Sequence, residues 1–236
     1  MQLFIGKQIN NTQIELTEEE SHHCFKVLRK KVNDELWVTD GEGNLFKGII
    51  TLANQKKITL EILANELKPK PWEYYLHLAI APTKNNDRIE WLAEKATELG
   101  INEISFIICS NSERRIIKTD RIKKITESAS KQSLKFNFPK INDAVDLASF
   151  LKMHSSSPSD KFIAHCRKEN LPFLGKEITK NTNSIVLVGP EGDFSENEIS
   201  QAQALNFKEI SLGKSRLRTE TAGLSIVNFF SFLNNL

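Results

Sequence analysis

The chain has 236 residues, 39% of them hydrophobic and 26% charged, with a formal net charge of +2, as in a globular protein with one large or two modest domains. No apolar run is long enough to cross a bilayer, the N-terminus lacks a secretory signal, and the three cysteines have no metal-binding spacing, so we expect a cytoplasmic protein with no membrane contact, no disulfide framework and no metal. The small net charge does not by itself identify a nucleic-acid binder, although basic clusters at 22–31 and 111–135 suit phosphate binding.

The first seventy residues have the pattern of a small β-barrel or sandwich. Short β-branched or aromatic runs predict four strands, at 3–6, 35–40, 44–50 and 57–63. Asp40-Gly41 lies where a hairpin turn fits between the second and third of these strands.

One helix is predicted among these strands. Thr17 and Glu20 have the spacing of a capping box, and the helix that follows carries Cys24, Val27 and Leu28 on one face.

A linker is predicted after these strands. The prolines of "KPKPW" at 68–72 are spaced as in a linker, so the predicted domains are 1–70 and 71–236.

From residue 71 onward, predicted strands and helices alternate, which indicates a parallel sheet covered on both faces and hence an α/β fold class. The predicted strands are 74–80, 101–109, 161–165, 184–189 and 207–213, and the predicted helices are 87–100, 120–132, 143–151 and 222–233. Gly100 is the predicted stop of the first helix. The last helix is apolar nearly all round, so it is expected to be buried in the core or against another subunit.

Ligands of an open parallel sheet bind beyond the carboxyl ends of its strands. Three loops are candidates: "AHCRKEN" at 164–170, "GPEGDFS" at 189–195 and "LGKSRLRTETA" at 212–222. They form one site only if their strands are neighbours, which the sequence does not decide.

The loop at 189–195 has two interpretations. Its glycines let another molecule approach the main chain, although it matches neither a phosphate loop nor a dinucleotide turn. Ser195 and Glu198 form a capping box, so a tight connector with a well-capped helix is the alternative.

The loop at 212–222 carries three basic side chains ahead of the apolar C-terminal helix. Lys214, Arg216 and Arg218 either meet a phosphate or a base edge, or form salt bridges to nearby acids. The candidate acids are Glu191, Asp193 and Glu220.

Motifs along the whole chain resemble those of the 16S ribosomal RNA uridine-N3 methyltransferases of the SPOUT superfamily. The motifs are "HCFKVLR", "DGEGNLF", "KATELG", "LVGPEGDFSENE" and "LGKSRLRTETA", in the family's order. The resemblance implies a PUA-like RNA-binding β-barrel at 1–70 and an α/β-knot methyltransferase domain with a deep trefoil knot at 71–236. It also implies S-adenosyl-L-methionine as methyl donor, a homodimer, and methylation of N3 of one uridine in the 16S rRNA of the small ribosomal subunit.

The resemblance also implies roles for individual residues. The implied cofactor-binding residues are His165, Val188, Gly189, Pro190, Glu191, Gly192, Leu212, Gly213, Leu217, Arg218 and Thr219. The expected RNA-binding residues are His23, Arg29, Arg114, Arg115 and Lys135, whereas Val27 and Leu28 are expected in the core. In catalysis, Arg218 would stabilise negative charge on the uracil oxygens and Glu220 would accept the N3 proton. The alternative for Glu220 is a carboxylate placed to stabilise the first turn of a helix.

The sequence departs from the family pattern at several positions. Asp193 stands where the family usually has a second glycine, Ser215 replaces an arginine, and Arg216 takes an apolar position. Leu3 and Lys135 stand where an arginine is common, so a guanidinium fork is lost at both places.

Two rival functions stay open at this point. One is a SPOUT RNA methyltransferase with another target atom, such as a ribose 2'-hydroxyl. The other is a non-catalytic assembly factor that binds rRNA through its basic clusters.

Overall fold

The N-terminal strands pair into a closed barrel in the computed structural model, which describes residues 1–235. The strands are β1 Leu3–Asn10, β2 Gln13–Leu16, β3 Glu35–Thr39, β4 Asn44–Ala53 and β5 Ile58–Leu67, in the order β1-β2-β5-β4-β3. Inward-facing Phe4, Val38 and Phe46 belong to the buried core. The hairpin turn at Asp40-Gly41 is confirmed between β3 and β4. Strand β2 was not predicted, because four residues give too short an alternation to detect.

The helix of this unit ends in a π-helical turn. Helix α1 spans Glu18–His22 and the π turn spans His23–Val27, where the Leu28 N–H donates to the His23 carbonyl at 3.1 Å. A π turn places the next residues at a different angle from an α-helix. The prediction that Val27 lies in the core is therefore wrong, since this residue is 63% exposed, whereas Cys24 is buried as predicted.

The start of α1 has only half of the predicted capping box. The Thr17 hydroxyl accepts from the Glu20 N–H at 3.3 Å. The Glu20 carboxylate instead pairs with Lys131.

The chain divides into two compact units. One contains residues Met1–Pro71 and Glu127–Phe138, and the other contains Trp72–Thr126 and the chain from Pro139 onward. The functional division at residues 70 and 71 stays a prediction.

The C-terminal unit is built on the predicted parallel sheet. Its strands are β6 Leu76–Ile80, β7 Glu103–Ile108, β8 Lys140–Ile141, β9 Val145–Asp146, β10 Asp160–Ala164, β11 Ser184–Val188 and β12 Lys208–Ile210. The order is β12-β10-β11-β6-β7-β8, with β9 also on β7, and every pairing in it is parallel. The trefoil knot within this sheet stays a prediction of the resemblance.

Helices cover both faces of the sheet. They are α2 Asn86–Leu99, the first part of α3 Thr119–Gln132, α4 Leu147–Met153, α5 Leu174–Glu177, α6 Glu196–Ala204 and α7 Thr219–Asn235. From Glu127 onward α3 belongs to the unit of the barrel. Helices α2 and α7 share one apolar core with the sheet, and α4 and α6 share the core of the opposite face. Gly100 ends α2 with φ +98°, as predicted. Within residues 1–235, every helix is too short or too polar to cross a membrane.

Candidate functional site

The three candidate loops meet at one edge of the sheet. Their strands β12, β10 and β11 are neighbours, and Ala164 lies beside both Val188 and Ile210. The strands therefore end at the same level, and the loops that follow enclose a cavity of about 300 Å³. This is the position at which parallel α/β sheets bind their ligands.

Most residues that the resemblance assigns to the cofactor line this cavity. Its walls include His165, Val188, Gly189, Pro190, Glu191, Leu212, Gly213, Leu217, Arg218 and Thr219. Gly192 lies in an adjoining groove instead. Seven further residues line the cavity, although the resemblance did not assign them to the cofactor: Ala164, Cys166, Asp193, Ser211, Ser215, Arg216 and Ala222. These seven belong to or directly precede the same loops, so adjacency along the chain was the available signal.

The two acids of the 189–195 loop hold the loop in place. Glu191 Oε1 accepts from the Lys84 N–H at 3.0 Å, and Asp193 Oδ2 accepts from the Cys166 N–H at 2.9 Å. Asp193 has φ +64°, a conformation that aspartate tolerates better than most residues other than glycine. This backbone conformation explains how an aspartate can occupy a position where the family usually has glycine.

Side chains from two neighbouring loops fix the same segment from outside. Arg167 donates to the Gly192 carbonyl at 3.1 Å and to the Phe194 carbonyl at 3.0 Å. Asn111 Nδ2 donates to the Gly192 carbonyl at 3.2 Å and to the Asp193 carbonyl at 2.9 Å. The helix beyond the loop begins with the predicted capping box of Ser195 and Glu198. This wall of the cavity is thus held before any ligand enters, which reduces the ordering cost of binding.

His165 supports the cavity wall in an orientation set by its hydrogen bonds. Its Nδ1 accepts from the Arg167 N–H at 3.2 Å, so Nε2 carries the proton and donates to Glu209 at 2.9 Å. Burial acts to raise the pKa of Glu209, but hydrogen bonds from Lys168 and His165 lower that pKa below its ordinary value. Glu209 is therefore a carboxylate near neutral pH, and it orients the imidazole.

The 212–222 loop is tied to the opposite wall by a side-chain hydrogen bond. The Thr219 hydroxyl is buried and donates to the Gly189 carbonyl at 3.1 Å. Next to it the exposed Arg218 borders the cavity. Within residues 1–235, neither Lys214, Arg216 nor Arg218 has an ion-pair partner, so the alternative of salt bridges to the nearby acids is wrong.

Glu220 is buried behind the cavity wall. Its Oε1 lies 3.7 Å from Nε of Arg88, and its Oε2 has no hydrogen-bond partner among the described residues. The residue is only 7% exposed and occupies the first turn of α7. Glu220 therefore lies in the first turn of a helix, which is the position that the alternative of a helix-stabilising carboxylate requires. Its Oε2 remains available to accept a hydrogen bond.

The residues expected to bind RNA are distributed over both units. In the N-terminal unit, His23 and Arg29 are exposed, and Lys135 is half-buried, with a pKa lowered by burial. In the C-terminal unit, Arg114 donates to the Lys84 carbonyl at 2.8 and 3.1 Å, and Arg115 is exposed. Over residues 1–235, no group of three or more histidine, cysteine or acidic side chains has the arrangement of a metal site.

Two family models match this chain. Residues 70–231 match the model of a family described as RNA methyltransferase domain, and residues 16–63 match one described as RNA methyltransferase PUA domain. Together with the cavity at the carboxyl edge of the parallel sheet, these matches define the class as an RNA methyltransferase that carries a PUA domain.

Three similar proteins narrow the class. Ribosomal RNA small subunit methyltransferase E of Rickettsia conorii is 30% identical over 95% of this chain and 92% of its own length. The crystal structure of a probable rRNA-methyltransferase from Porphyromonas gingivalis has a TM-score of 0.90 and 36% identity, over 100% of this chain and 99% of the other. A structure of ribosomal RNA small subunit methyltransferase E from Neisseria gonorrhoeae bound to S-adenosyl methionine has a TM-score of 0.82 and 26% identity. The match covers 99% of this chain and 98% of the other. The chain belongs to the ribosomal RNA small subunit methyltransferase E family.

Proposed function

We propose that this chain transfers a methyl group from S-adenosyl-L-methionine to N3 of one uridine in the 16S rRNA of the small ribosomal subunit. The observation that carries the proposal is the cavity formed by the three loops at the ends of β10, β11 and β12. The name of the Rickettsia relative and the bound cofactor of the Neisseria structure support the substrate and the donor.

The cavity suits a nucleoside-containing cofactor. Its volume of about 300 Å³ is at the lower end for ligand pockets. Val188, Leu212 and Leu217 give it apolar walls that can enclose a flat ring. At Gly213, with φ +121°, an added Cβ would meet no atom within 4 Å, so the main chain there is open to a ligand. We assign cofactor binding to the residues of these loops named above, with Gly192 at the margin.

The bound cofactor supplies an electrophilic methyl group, and the protein contributes position and electrostatics. Transfer to uridine N3 requires loss of the N3 proton, which leaves negative charge spread over the uracil oxygens. The exposed guanidinium of Arg218 borders the cavity, where it can stabilise that charge.

Glu220 is the proposed proton acceptor. Its Oε2 is buried without a hydrogen bond among the described residues, which leaves an acceptor available beside the cavity. Because Glu220 does not line the cavity, the proton reaches it through a water molecule. The carboxylate lies in the first turn of α7, with Nε of Arg88 3.7 Å from its Oε1.

We infer that basic and polar side chains of both units bind the rRNA. His23, Arg29 and Lys135 would hold it on the barrel unit, with Arg114 and Arg115 on the methyltransferase unit. Arg115 is the stronger candidate of the two arginines, because Arg114 already donates twice to a backbone carbonyl. The site of action is the cytoplasm, where ribosomal subunits are assembled.

We also infer a homodimer. Phe232 on α7 is 65% exposed and Trp91 on α2 is 44% exposed, and these two helices pack against each other. Exposed large apolar side chains on adjoining helices are typical of a subunit interface. Light scattering should give twice the chain mass for the wild type and a smaller mass for Phe232→Ser, and a wild-type monomer would contradict the inference.

The proposed activity is tested on small ribosomal subunits from a strain that lacks this gene. Incubation with the protein and S-adenosyl-L-methionine should produce one 3-methyluridine in 16S rRNA, located by mass mapping of nucleosides. A ribose-methylated nucleoside would favour the first rival function. Binding of subunits without any calorimetric heat from the cofactor would favour the assembly factor.

A further inference from the structure

A second, larger recess adjoins the cofactor cavity in the C-terminal unit. It has a volume of about 960 Å³, and we call it the basic groove. It shares walls with the cavity at His165, Cys166, Asp193, Ser211, Gly213, Ser215 and Arg216. A polymer whose reactive base lies at the mouth of the cavity can therefore continue directly into the groove.

The groove has an excess of positive charge. Five of its lining residues are basic, namely Arg167, Lys168, Lys176, Lys214 and Arg216, against the two acids Glu169 and Asp193. The Asp193 carboxylate already accepts hydrogen bonds from the backbone N–H groups of Cys166 and Phe194. This imbalance makes the groove attractive to a polyanion.

Most of this charge is not neutralised within the protein. Lys168 pairs with Glu209 at 2.7 Å. Arg167 donates to uncharged carbonyls, and within residues 1–235 Lys176, Lys214 and Arg216 have no ion-pair partner. Unpaired lysine and arginine side chains beside a cavity are suited to phosphates.

The groove also contains one aromatic ring. Phe173 is half-buried, with its ring edge-on to Phe229 at a centroid distance of 5.2 Å. A ring held this way offers a surface on which an unpaired base can stack. Cations together with an aromatic ring match a single-stranded nucleic acid better than they match an acidic protein.

We propose that the basic groove holds the single-stranded RNA that flanks the target nucleotide, with Lys176 and Lys214 on its phosphates. This proposal rests on the proposed function, since it extends the substrate site of the same reaction. The two lysines act as positioning residues: they lie outside the cofactor cavity and keep the target base at its mouth.

The test compares two double variants of the full-length protein that each remove two charges. Lys176→Ala with Lys214→Ala changes the groove. Lys180→Ala with Lys208→Ala is the matched control, because both residues are exposed, lack an ion-pair partner within residues 1–235, and lie outside the groove, Lys208 being at the amino end of β12. Binding is measured on small ribosomal subunits from the deletion strain over a range of salt concentrations.

The groove variant should bind the subunits about tenfold more weakly than wild type, and the slope of log K against log salt should fall by about 1.4. Its KM for the subunits should rise with kcat and the calorimetric Kd for S-adenosyl-L-methionine unchanged. The affinity of the control variant for the subunits should stay within about twofold of wild type, because its two lost charges are not in contact with phosphate. Equal affinities and equal slopes for the two variants would overturn the proposal. Naked 16S rRNA should compete for the groove, and competition by ribosomal proteins alone would also overturn it.

The outcome for the groove is separable from that for the activity. A wild-type protein that shows no methyl transfer and no heat with the cofactor would refute the proposed function. The binding comparison still decides whether the groove holds RNA, because it needs no turnover.

Discussion

The parallel sheet of the C-terminal unit buries one histidine near each end of its strands, and the two ends differ in access. At the carboxyl end, His165 supports an open cavity, together with exposed Arg218. At the amino end, His77 lies 2.7 Å from Ser105 Oγ, with its Nδ1 3.7 Å from Glu103. The second group has the residue types of a serine nucleophile site, but all three members are at most 7% exposed. Residue types alone do not make a site, because a substrate must also reach them.

The amino-end cluster is held together by Glu103. Its carboxylate accepts from Tyr75 at 2.7 Å, from Asn142 at 2.6 Å and from Lys140 at 3.0 Å. The ring of His154 packs edge-on against the ring of His77, with 5.1 Å between the ring centroids. We therefore interpret this end as structural, and we expect its substitutions to change stability, whereas those at the carboxyl end change activity.

The largest expected effect is on catalysis at the carboxyl end. Arg218→Ala should lower kcat by between about 100-fold and 1,000-fold, because charge on the uracil oxygens loses its stabilising partner. The calorimetric Kd for S-adenosyl-L-methionine should stay near wild type, because Arg218 would meet the cofactor through its main chain, and the urea midpoint should also be unchanged. Arg218→Lys is the matched control and should retain part of the activity, since it keeps the charge without the planar fork. Unchanged turnover of Arg218→Ala on small subunits would remove the assigned role.

The next effect is on stability at the amino end. Glu103→Ala should lower the free energy of unfolding by about 3 kcal/mol, because it leaves the half-buried donors of Tyr75 and Asn142 without their acceptor. Urea denaturation measures the change. Glu94→Ala, which breaks a surface pair with Lys95, should cost about 0.5 kcal/mol or less. A similar cost for both variants would show that the cluster has no special structural role.

The amino end should also make stability depend on pH. Burial lowers the pKa of His77 to about 4 from an ordinary value of 6.5, so the unfolded chain takes up this proton first as the pH falls. The free energy of unfolding thus falls between about pH 6.5 and 4, by about 3 kcal/mol. The pKa of Glu103 lies below its ordinary value, because His77, Asn142, Tyr75 and Lys140 together outweigh burial, so a further loss follows below pH 4.5.

The variant His77→Asn separates these contributions. Urea unfolding at several pH values should show a flatter profile between pH 6.5 and 4 for this variant. His22→Asn removes an exposed histidine and should leave the profile as in wild type. If His77→Asn keeps the full slope, another group is responsible.

The smallest expected effect is on cofactor affinity. Thr219→Val removes the hydrogen bond to the Gly189 carbonyl that joins two cavity walls. We expect a calorimetric Kd about fivefold higher, which corresponds to about 1 kcal/mol. Thr221→Val is the matched control on the exposed side of α7 and should not change the Kd. Equal values for both variants would mean that the contact does not shape the cavity.

The sequence by itself determined the local elements and the composition of the cavity. Apolar periodicity and Gly100 defined α2, the Ser195 and Glu198 spacing defined the start of α6, and the glycine-rich and arginine-rich loops supplied most cavity walls. These features depend on residues a few positions apart, which is the range over which capping and periodicity act.

The tertiary structure alone decided which residues meet. It placed β12, β10 and β11 side by side, turned Glu191 and Asp193 onto distant backbone N–H groups, and buried Glu220 beside Arg88. It also rotated Val27 outward through the π turn and packed 127–138 with the barrel. Such outcomes depend on contacts between residues far apart in the chain, whose energies are settled only when the whole core packs.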